Sequence, residues 1–128
     1  MGDLSLHFSR DEFRCRGEQC CGHSAPVDMR LVEGLEEVRA RLNEKLTSGE
    51  VRLEVTSGFR CLVHNREVGS SDFSLHALGM AADVVPHGAA VGEVAICAGG
   101  VRCFRYGGIG VYDEFVHLDV RGNGPARW

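Results

Sequence analysis

The sequence predicts an α+β fold in which helices pack on a small, mostly antiparallel sheet. Three observations predict it. Helix-type periodicity dominates the first third of the chain, a period-two strand pattern follows directly, and two short apolar segments joined by a tight turn close the sequence. Helices that come before a set of strands, rather than alternating with them one by one, are typical of this class.

The helical part begins with Ser9-Arg10-Asp11-Glu12, a capping-box sequence that predicts a short helix bearing Phe13. After an irregular, cysteine-rich stretch that reaches Pro26, Asp28 is placed to cap the longest helix. Its apolar positions recur every three or four residues, which predicts about five amphipathic turns ending near residues 48–49. These positions are Leu31, Leu35, Val38, Leu42 and Leu46.

Strands and short helices occupy the rest of the chain. Alternation of apolar and polar residues from Val51 to Thr56 predicts a half-buried strand that ends at Ser57-Gly58. The last two strands are expected to be joined at Asp113-Glu114 as a tight hairpin. The other expected elements are a short helix over 61–68, a loop over 69–72, a buried strand over 81–85 closed by Pro86, a helix over 89–98 ending at Gly99-Gly100, and the hairpin strands over 108–112 and 115–120.

Length and composition restrict the class of protein. The 128 residues are 44% apolar and 25% charged, as expected for a single domain over 1–128, and they exclude a disordered or fibrous chain. The net charge of -4 argues against a nucleic-acid-binding protein, which normally carries a basic surplus. No apolar run approaches the roughly 18 residues of a membrane span, so no membrane insertion is expected. The first residues lack the features of a signal peptide, which predicts a protein that stays cytoplasmic until it is released.

The cysteines allow two interpretations. Six in a chain of this length are sparse beside small disulfide-rich scaffolds, so we favour reduced or partly paired structural cysteines. The alternative is a structural zinc site, although the spacing of the first three is not that of a standard zinc finger. In that alternative, the first three cysteines would be joined in the fold by Cys61. The six are Cys15, Cys20, Cys21, Cys61, Cys97 and Cys103.

Two of the six histidines lie beside carboxylates in apolar strand patterns. His76 directly precedes or enters the buried strand, and His117 shares one face of the last strand with Asp119. Two histidines and one carboxylate are a sufficient ligand set for catalytic zinc, with the fourth position left for water. A second carboxylate must then accept the proton of that water, and either Glu114 or Asp119 could do so. The competing interpretation is a pair of hydrogen-bonded core histidines.

Four segments resemble a known family. Ser-x-His-x-x-Gly-x-Ala-x-Asp over 74–83 and Glu-x-x-His-x-Asp over 114–119 resemble the zinc D-Ala-D-Ala metallopeptidases. These include VanX-type dipeptidases and several phage endolysins, and they share a fold with the hedgehog signalling domain. The Ser-Gly-Phe-Arg-Cys sequence over 57–61 is similar to the Ser-Gly-Tyr-Arg element of that family, and 108–112 is similar to its glycine-rich strand. The resemblance extends over about residues 7–128.

The resemblance implies a role for each residue of the site. It implies a hedgehog-like α+β fold and one catalytic Zn²⁺ ion as cofactor. Arg60 would stabilise the charge that develops on the scissile carbonyl or hold a substrate carboxylate, and Ser74 would contact the substrate. Glu114 occupies the position of the catalytic Asp or Glu, and Asp119 would support a ligand histidine or act as the alternative base. The implied zinc ligands are His76, Asp83 and His117.

The expected function is therefore that of a zinc metallopeptidase acting on peptidoglycan stem peptides. It would be a D,D-carboxypeptidase or an endopeptidase that works as a monomer with the stem peptide as its partner. A phage or prophage origin is inferred by analogy. The alternative is a catalytically weak, zinc-containing binding module of a phage or cell-wall assembly. A third interpretation, a redox or metal-storage protein, makes the cysteines the functional groups.

Overall fold

A computed structural model describes residues 2–18, 21–46, 49–71 and 74–128. Two short 3₁₀ helices accompany the regular elements, at Arg10–Phe13 and Leu75–Leu78. In these ranges every helix is too short or too polar to span a lipid bilayer. The helices are α1 (Met29–Lys45), α2 (Leu62–Glu67), α3 (Val91–Ala98) and α4 (Arg102–Arg105), and the strands are β1 (Arg52–Ser57), β2 (Ala81–His87), β3 (Gly108–Val111), β4 (Val116–Asp119) and β5 (Ala126–Arg127).

The strands form one five-stranded sheet in the order β1-β2-β4-β3-β5. The three pairings between β1, β2, β4 and β3 are antiparallel, and β5 joins the far edge parallel to β3. The α+β class and the mostly antiparallel sheet predicted from the sequence are therefore confirmed. The tight closing hairpin is confirmed as well, because Val111 pairs with Val116 and the turn lies between them.

The long helix α1 supplies one side of the core. Asp28 caps it by accepting a hydrogen bond from the backbone N–H of Arg30 at 2.9 Å. The predicted stripe is buried except for Leu46, which is the partly buried residue that follows the last turn. The helix packs against α3, α4 and β1, and its buried side chains meet those of the sheet in one apolar cluster. Burial of this stripe holds α1 on the sheet, because each fully buried aliphatic side chain contributes roughly 1.5–3 kcal/mol.

Several details differ from the sequence prediction. Strand β2 does not stop before Pro86 but runs to His87, with Pro86 paired to Leu53 of β1. Strand β4 pairs only with 81–84, so among the described strands this end of β2 has no neighbour on one side, and the missing N–H of a proline is tolerated there. Neither α4 nor β5 was predicted, since both are too short to show a periodic pattern. The expected helix end at Ser48 and the end of the loop at Asp72 lie outside the described residues.

Candidate metal centre

Two strands bring a carboxylate and an imidazole face to face. In the antiparallel pairing of β2 with β4, Asp83 lies directly opposite His117. Directly opposed residues project from the same face of a sheet, so the two side chains meet. His117 Nδ1 lies 3.0 Å from Asp83 Oδ1. The register of the sheet therefore positions two of the three expected ligands.

The third side chain, His76, comes from the 3₁₀ helix just before β2. The Ser74 hydroxyl begins this turn by accepting a hydrogen bond from the backbone N–H of His76, and Gly79 ends it at a φ of 69°. His76 is 3% exposed, and its Nε2 lies 3.3 Å from Asp83 Oδ1. Its ring meets the ring of His117 edge-on, at 5.2 Å between centroids. One ligand atom from each of the three residues lies within 4.8 Å of the others.

A backbone carbonyl sets the tautomer of His76. The carbonyl oxygen of Gly58 lies 2.8 Å from His76 Nδ1, and because a carbonyl can only accept, Nδ1 must carry the proton. In a neutral His76 the unprotonated Nε2 then faces a carboxylate oxygen of Asp83. Two acceptors in contact are satisfied by a cation between them.

His117 shows the same pattern. Its Nε2 lies 2.8 Å from Asp119 Oδ2, while its Nδ1 faces Asp83, and a neutral imidazole has only one N–H to donate. Burial lowers the pKa of His117, but its hydrogen bonds to the Asp119 and Asp83 carboxylates outweigh burial and raise the pKa above its ordinary value. For Asp83, burial alone would raise the pKa, but the two imidazoles hold this pKa well below its usual range. The three groups therefore have the chemistry of a cation site.

Asp119 holds His117 from the side away from Asp83. Its carboxylate is fully buried, and both of its oxygens accept hydrogen bonds. Oδ2 accepts from His117 and from Arg121 Nη2 at 2.8 Å, and Oδ1 accepts from Arg121 Nε and from the Gly108 N–H, each at 2.9 Å. A carboxylate on the outer nitrogen of a histidine ligand fixes the orientation of its ring. Of the two roles left open by the sequence, this geometry favours support of His117.

The chain matches a known family over nearly its whole described length. The family model described as Peptidase M15 matches residues 6–119, a range that includes all three ligand candidates. The chain belongs to the M15 peptidase family. A comparison with curated protein sequences gives no match.

Membership confirms the resemblance to the zinc D-Ala-D-Ala metallopeptidases. M15 peptidases are zinc-dependent metallopeptidases, and the side chains that meet here fit that metal. Zinc takes imidazole nitrogen and carboxylate oxygen as ligands, and catalytic sites use three protein ligands. The set of His76, Asp83 and His117 provides that number, and each histidine has its outer nitrogen held by a hydrogen-bond acceptor.

The structure places Arg60 of this M15 peptidase beside the three ligand candidates. Its backbone N–H donates to the carbonyl oxygen of His76 at 3.1 Å. Burial lowers the pKa of the Arg60 guanidinium, while the nearby Asp83 carboxylate raises it. Among the described residues, its buried Nε has no hydrogen-bond partner. The guanidinium therefore retains an unused donor in the neighbourhood of Asp83.

Glu114 lies further out than the ligand candidates. It is exposed in the two-residue turn of the β3–β4 hairpin, three positions before His117. The turn is closed by a hydrogen bond from the Tyr112 N–H to the Phe115 carbonyl oxygen at 3.0 Å, and the two rings stack at 4.3 Å between centroids. Glu114 does not belong to the group of ligand atoms within 4.8 Å of one another. Its carboxylate is therefore not one of the ligand candidates.

Four residues that the sequence analysis did not single out help to line a cavity against His117. The cavity has a volume of about 270 Å³, and the Trp128 ring lies 5.0 Å from the His117 ring, centroid to centroid. The Trp128 indole is fixed by a hydrogen bond from its Nε1 to the Tyr112 hydroxyl at 2.8 Å. The only sequence signal for this contact is Gly110, where a Cβ would lie 2.5 Å from the indole. The lining residues are Ser74, Leu75, His117, Arg121, Asn123 and Trp128.

A larger cavity lies apart from the three ligand candidates. It has a volume of about 420 Å³ and is bounded by α1, α4 and the residues after β4. None of the three ligand candidates lines it. The smaller cavity is the one relevant to a peptidase, because it is open beside the metal centre and includes Ser74, the residue expected to contact substrate.

Proposed function

We propose that the chain hydrolyses peptidoglycan stem peptides, as a D,D-carboxypeptidase or an endopeptidase. The observation that carries the proposal is the convergence of His76, Asp83 and His117 beside an open cavity in a chain of the M15 family. A zinc ion bound there would lower the pKa of a water molecule toward about 7 and polarise the scissile carbonyl.

Glu114 is the proposed general base. Its exposed position in the β3–β4 turn leaves the carboxylate accessible to an entering peptide and to water. It would take a proton from that water and pass it to the nitrogen of the leaving amine, so that one group serves both halves of the reaction. Asp119 is less suited to this step, because both of its oxygens are occupied by hydrogen bonds and it is fully buried.

Arg60 and Ser74 are proposed to act on the substrate. The Arg60 Nε without a partner among the described residues supports a role in binding an anionic oxygen, either that of the attacked carbonyl or a substrate carboxylate. Ser74 lines the cavity, and its hydroxyl can still donate a hydrogen bond because the contact to His76 uses it as an acceptor. The two groups would position the peptide over the metal centre.

The test is mass spectrometry of purified peptidoglycan after incubation with the protein, with and without a zinc chelator. New fragments that disappear with the chelator are expected, and their masses identify the bond as a terminal D-Ala link or an internal one. An unchanged digest from protein with zinc bound at the histidine site would contradict hydrolysis and favour the binding-module alternative.

Variants separate the proposed roles. Glu114→Gln is expected to keep zinc and to reduce turnover by roughly 10²–10⁴-fold, the range for loss of a general base. His76→Ala is expected to lose the zinc ion of the histidine site together with activity. Glu44→Gln makes the same change on an exposed carboxylate of α1 and should behave as wild type. Near-wild-type turnover in Glu114→Gln would show that another group takes the proton.

A further inference from the structure

Three cysteine side chains meet close to Arg60, outside the histidine site. Cys15 follows the first 3₁₀ helix and is fully buried, Cys21 lies in the loop that follows, and Cys61 precedes α2. Their Sγ atoms all lie within 4.8 Å of one another. Cys15 and Cys61 are 46 positions apart in the sequence, so the fold itself brings them together.

The sulfur spacing fits a tetrahedral metal. The Sγ atoms of Cys15 and Cys61 are 3.8 Å apart. In a tetrahedral thiolate site with Zn–S bonds of about 2.3 Å, neighbouring sulfurs are separated by about 3.8 Å. The observed separation therefore needs no movement of the backbone to admit zinc between these two residues.

Backbone N–H groups point at the sulfurs. The N–H groups of Gly17 and Cys61 donate to Cys15 Sγ, and the N–H of His64 donates to Cys61 Sγ at 3.5 Å. Hydrogen bonds of this kind favour a thiolate, whereas burial disfavours it and raises the pKa of Cys15. A bound cation would offset that cost of burial, because it compensates the charge of the thiolates.

The loop that carries Cys21 folds back onto Cys15. The Cys15 N–H donates to the Ser24 carbonyl oxygen at 2.7 Å, and His23 Nδ1 lies 2.8 Å from the Cys15 carbonyl oxygen. The turn between them has two successive residues at positive φ, Gly22 at 70° and His23 at 61°. Because a non-glycine residue rarely adopts this conformation, the loop shape is held by contacts around Cys15.

We propose that Cys15, Cys21 and Cys61 bind a second, structural zinc ion. The ion would join the N-terminal segment to the junction between β1 and α2, one residue from Arg60. The three thiolates would supply three of the four ligands of a tetrahedral zinc ion. The proposal is independent of the proposed function, because it concerns different ligands and a different ion.

The test begins with the zinc content of the purified wild-type protein and of a His76→Ala/His117→Ala double variant. Wild type is expected to hold a second equivalent of zinc, and the double variant is expected to keep one. Cys21→Ser, in a partly exposed loop, should lose one equivalent and keep the other. Cys97→Ser is the matched control, since Cys97 lies outside the cluster, and it should keep both.

Cobalt substitution identifies the ligands. In the His76→Ala/His117→Ala variant, bound Co²⁺ should give a sulfur-to-metal charge-transfer absorption that is lost when Cys21→Ser is added. A wild-type protein with a single zinc that the double variant loses would overturn the proposal. A disulfide between any two of the three cysteines, detected by mass spectrometry after alkylation without reductant, would also overturn it. Neither of these two results depends on whether a cysteine variant folds.

Discussion

Replacing Asp119 with asparagine tests what holds the His117 ring in place. Asparagine has nearly the same shape but carries one acceptor oxygen and one NH₂ donor. The carboxylate accepts two hydrogen bonds at Oδ2 and three at Oδ1, from His117, Arg121 and Gly108. Whichever way the amide is oriented, at least two of these donors face an NH₂ group instead of an acceptor.

The magnitude follows from these contacts. Loss of a partner on the outer nitrogen of a metal-ligating histidine typically costs 10–100-fold in metal affinity, which corresponds to about 1.4–2.7 kcal/mol. Donors left without an acceptor in a fully buried position cost about 1–3 kcal/mol of folding free energy. We therefore expect Asp119→Asn to bind zinc 10–100-fold more weakly and to unfold at a lower denaturant concentration.

The assay is competition for zinc against a chromogenic chelator, together with turnover measured at saturating zinc. Turnover should recover most of its wild-type value once zinc is saturating, because the residue positions a ligand. Asp11→Asn is the control, since it makes the same change on a side chain that is 82% exposed. Wild-type zinc affinity combined with lost turnover in Asp119→Asn would refute the reasoning and assign the proton transfer to Asp119.

Three further substitutions or modifications have defined outcomes. Gly110→Ala places a Cβ 2.5 Å from the indole of Trp128, so we expect a loss of about 1–3 kcal/mol in unfolding free energy and a shift in the emission of this only tryptophan. Asp28→Ala removes the cap of α1 and should cost about 1 kcal/mol at pH 7, measured by denaturant unfolding. Because the Arg30 hydrogen bonds lower the pKa of Asp28, this contribution is present above the ordinary aspartate pKa and is lost as the pH falls through the folded value. Burial raises the pKa of Cys103 to about 11, so iodoacetamide should modify it at pH 8 roughly 100-fold more slowly than an ordinary thiol.

For each of these three predictions, one experimental result would contradict it. Unchanged tryptophan emission in Gly110→Ala would mean that the indole does not pack on this strand. A difference between Asp28→Ala and wild type that stays constant into strong acid would mean that the carboxylate charge does not stabilise α1. Rapid alkylation of Cys103 in the folded protein would mean that the thiol is not shielded by its surroundings.

The elements with long repeating patterns could be predicted from the sequence, and the short ones could not. Helix α1 spans nearly five turns, so its apolar stripe and its Asp28 cap can both be recognised in the amino-acid sequence. Strand β5 has only two residues and is held by pairing with β3, a contact that no local pattern encodes. Pro86 alone predicts a strand end, but it is accommodated because β4 begins at Val116, opposite Val84, and does not reach Pro86.

The same distinction applies to the site. The motifs around His76 and His117 predicted which residues would be candidates, because spacing within one segment is a local property. The cavity wall formed by Trp128 depends on the path of the chain after β4, which places that residue over Gly110. The partner of the His76 imidazole is also non-local, because its Nδ1 is held by a backbone carbonyl oxygen 18 positions earlier.

The two imidazoles are held by chemically different supports, and this affects how the site can change during evolution. His117 is oriented by the Asp119 side chain, so a single codon change can weaken or retune that support. His76 is oriented by the main-chain oxygen of Gly58, which every amino acid possesses. A side chain at position 58 would instead collide with Phe13, where a Cβ would lie 2.6 Å from its Cα. Substitutions can therefore adjust the orientation of His117 gradually, whereas the orientation of His76 changes only if the backbone is displaced.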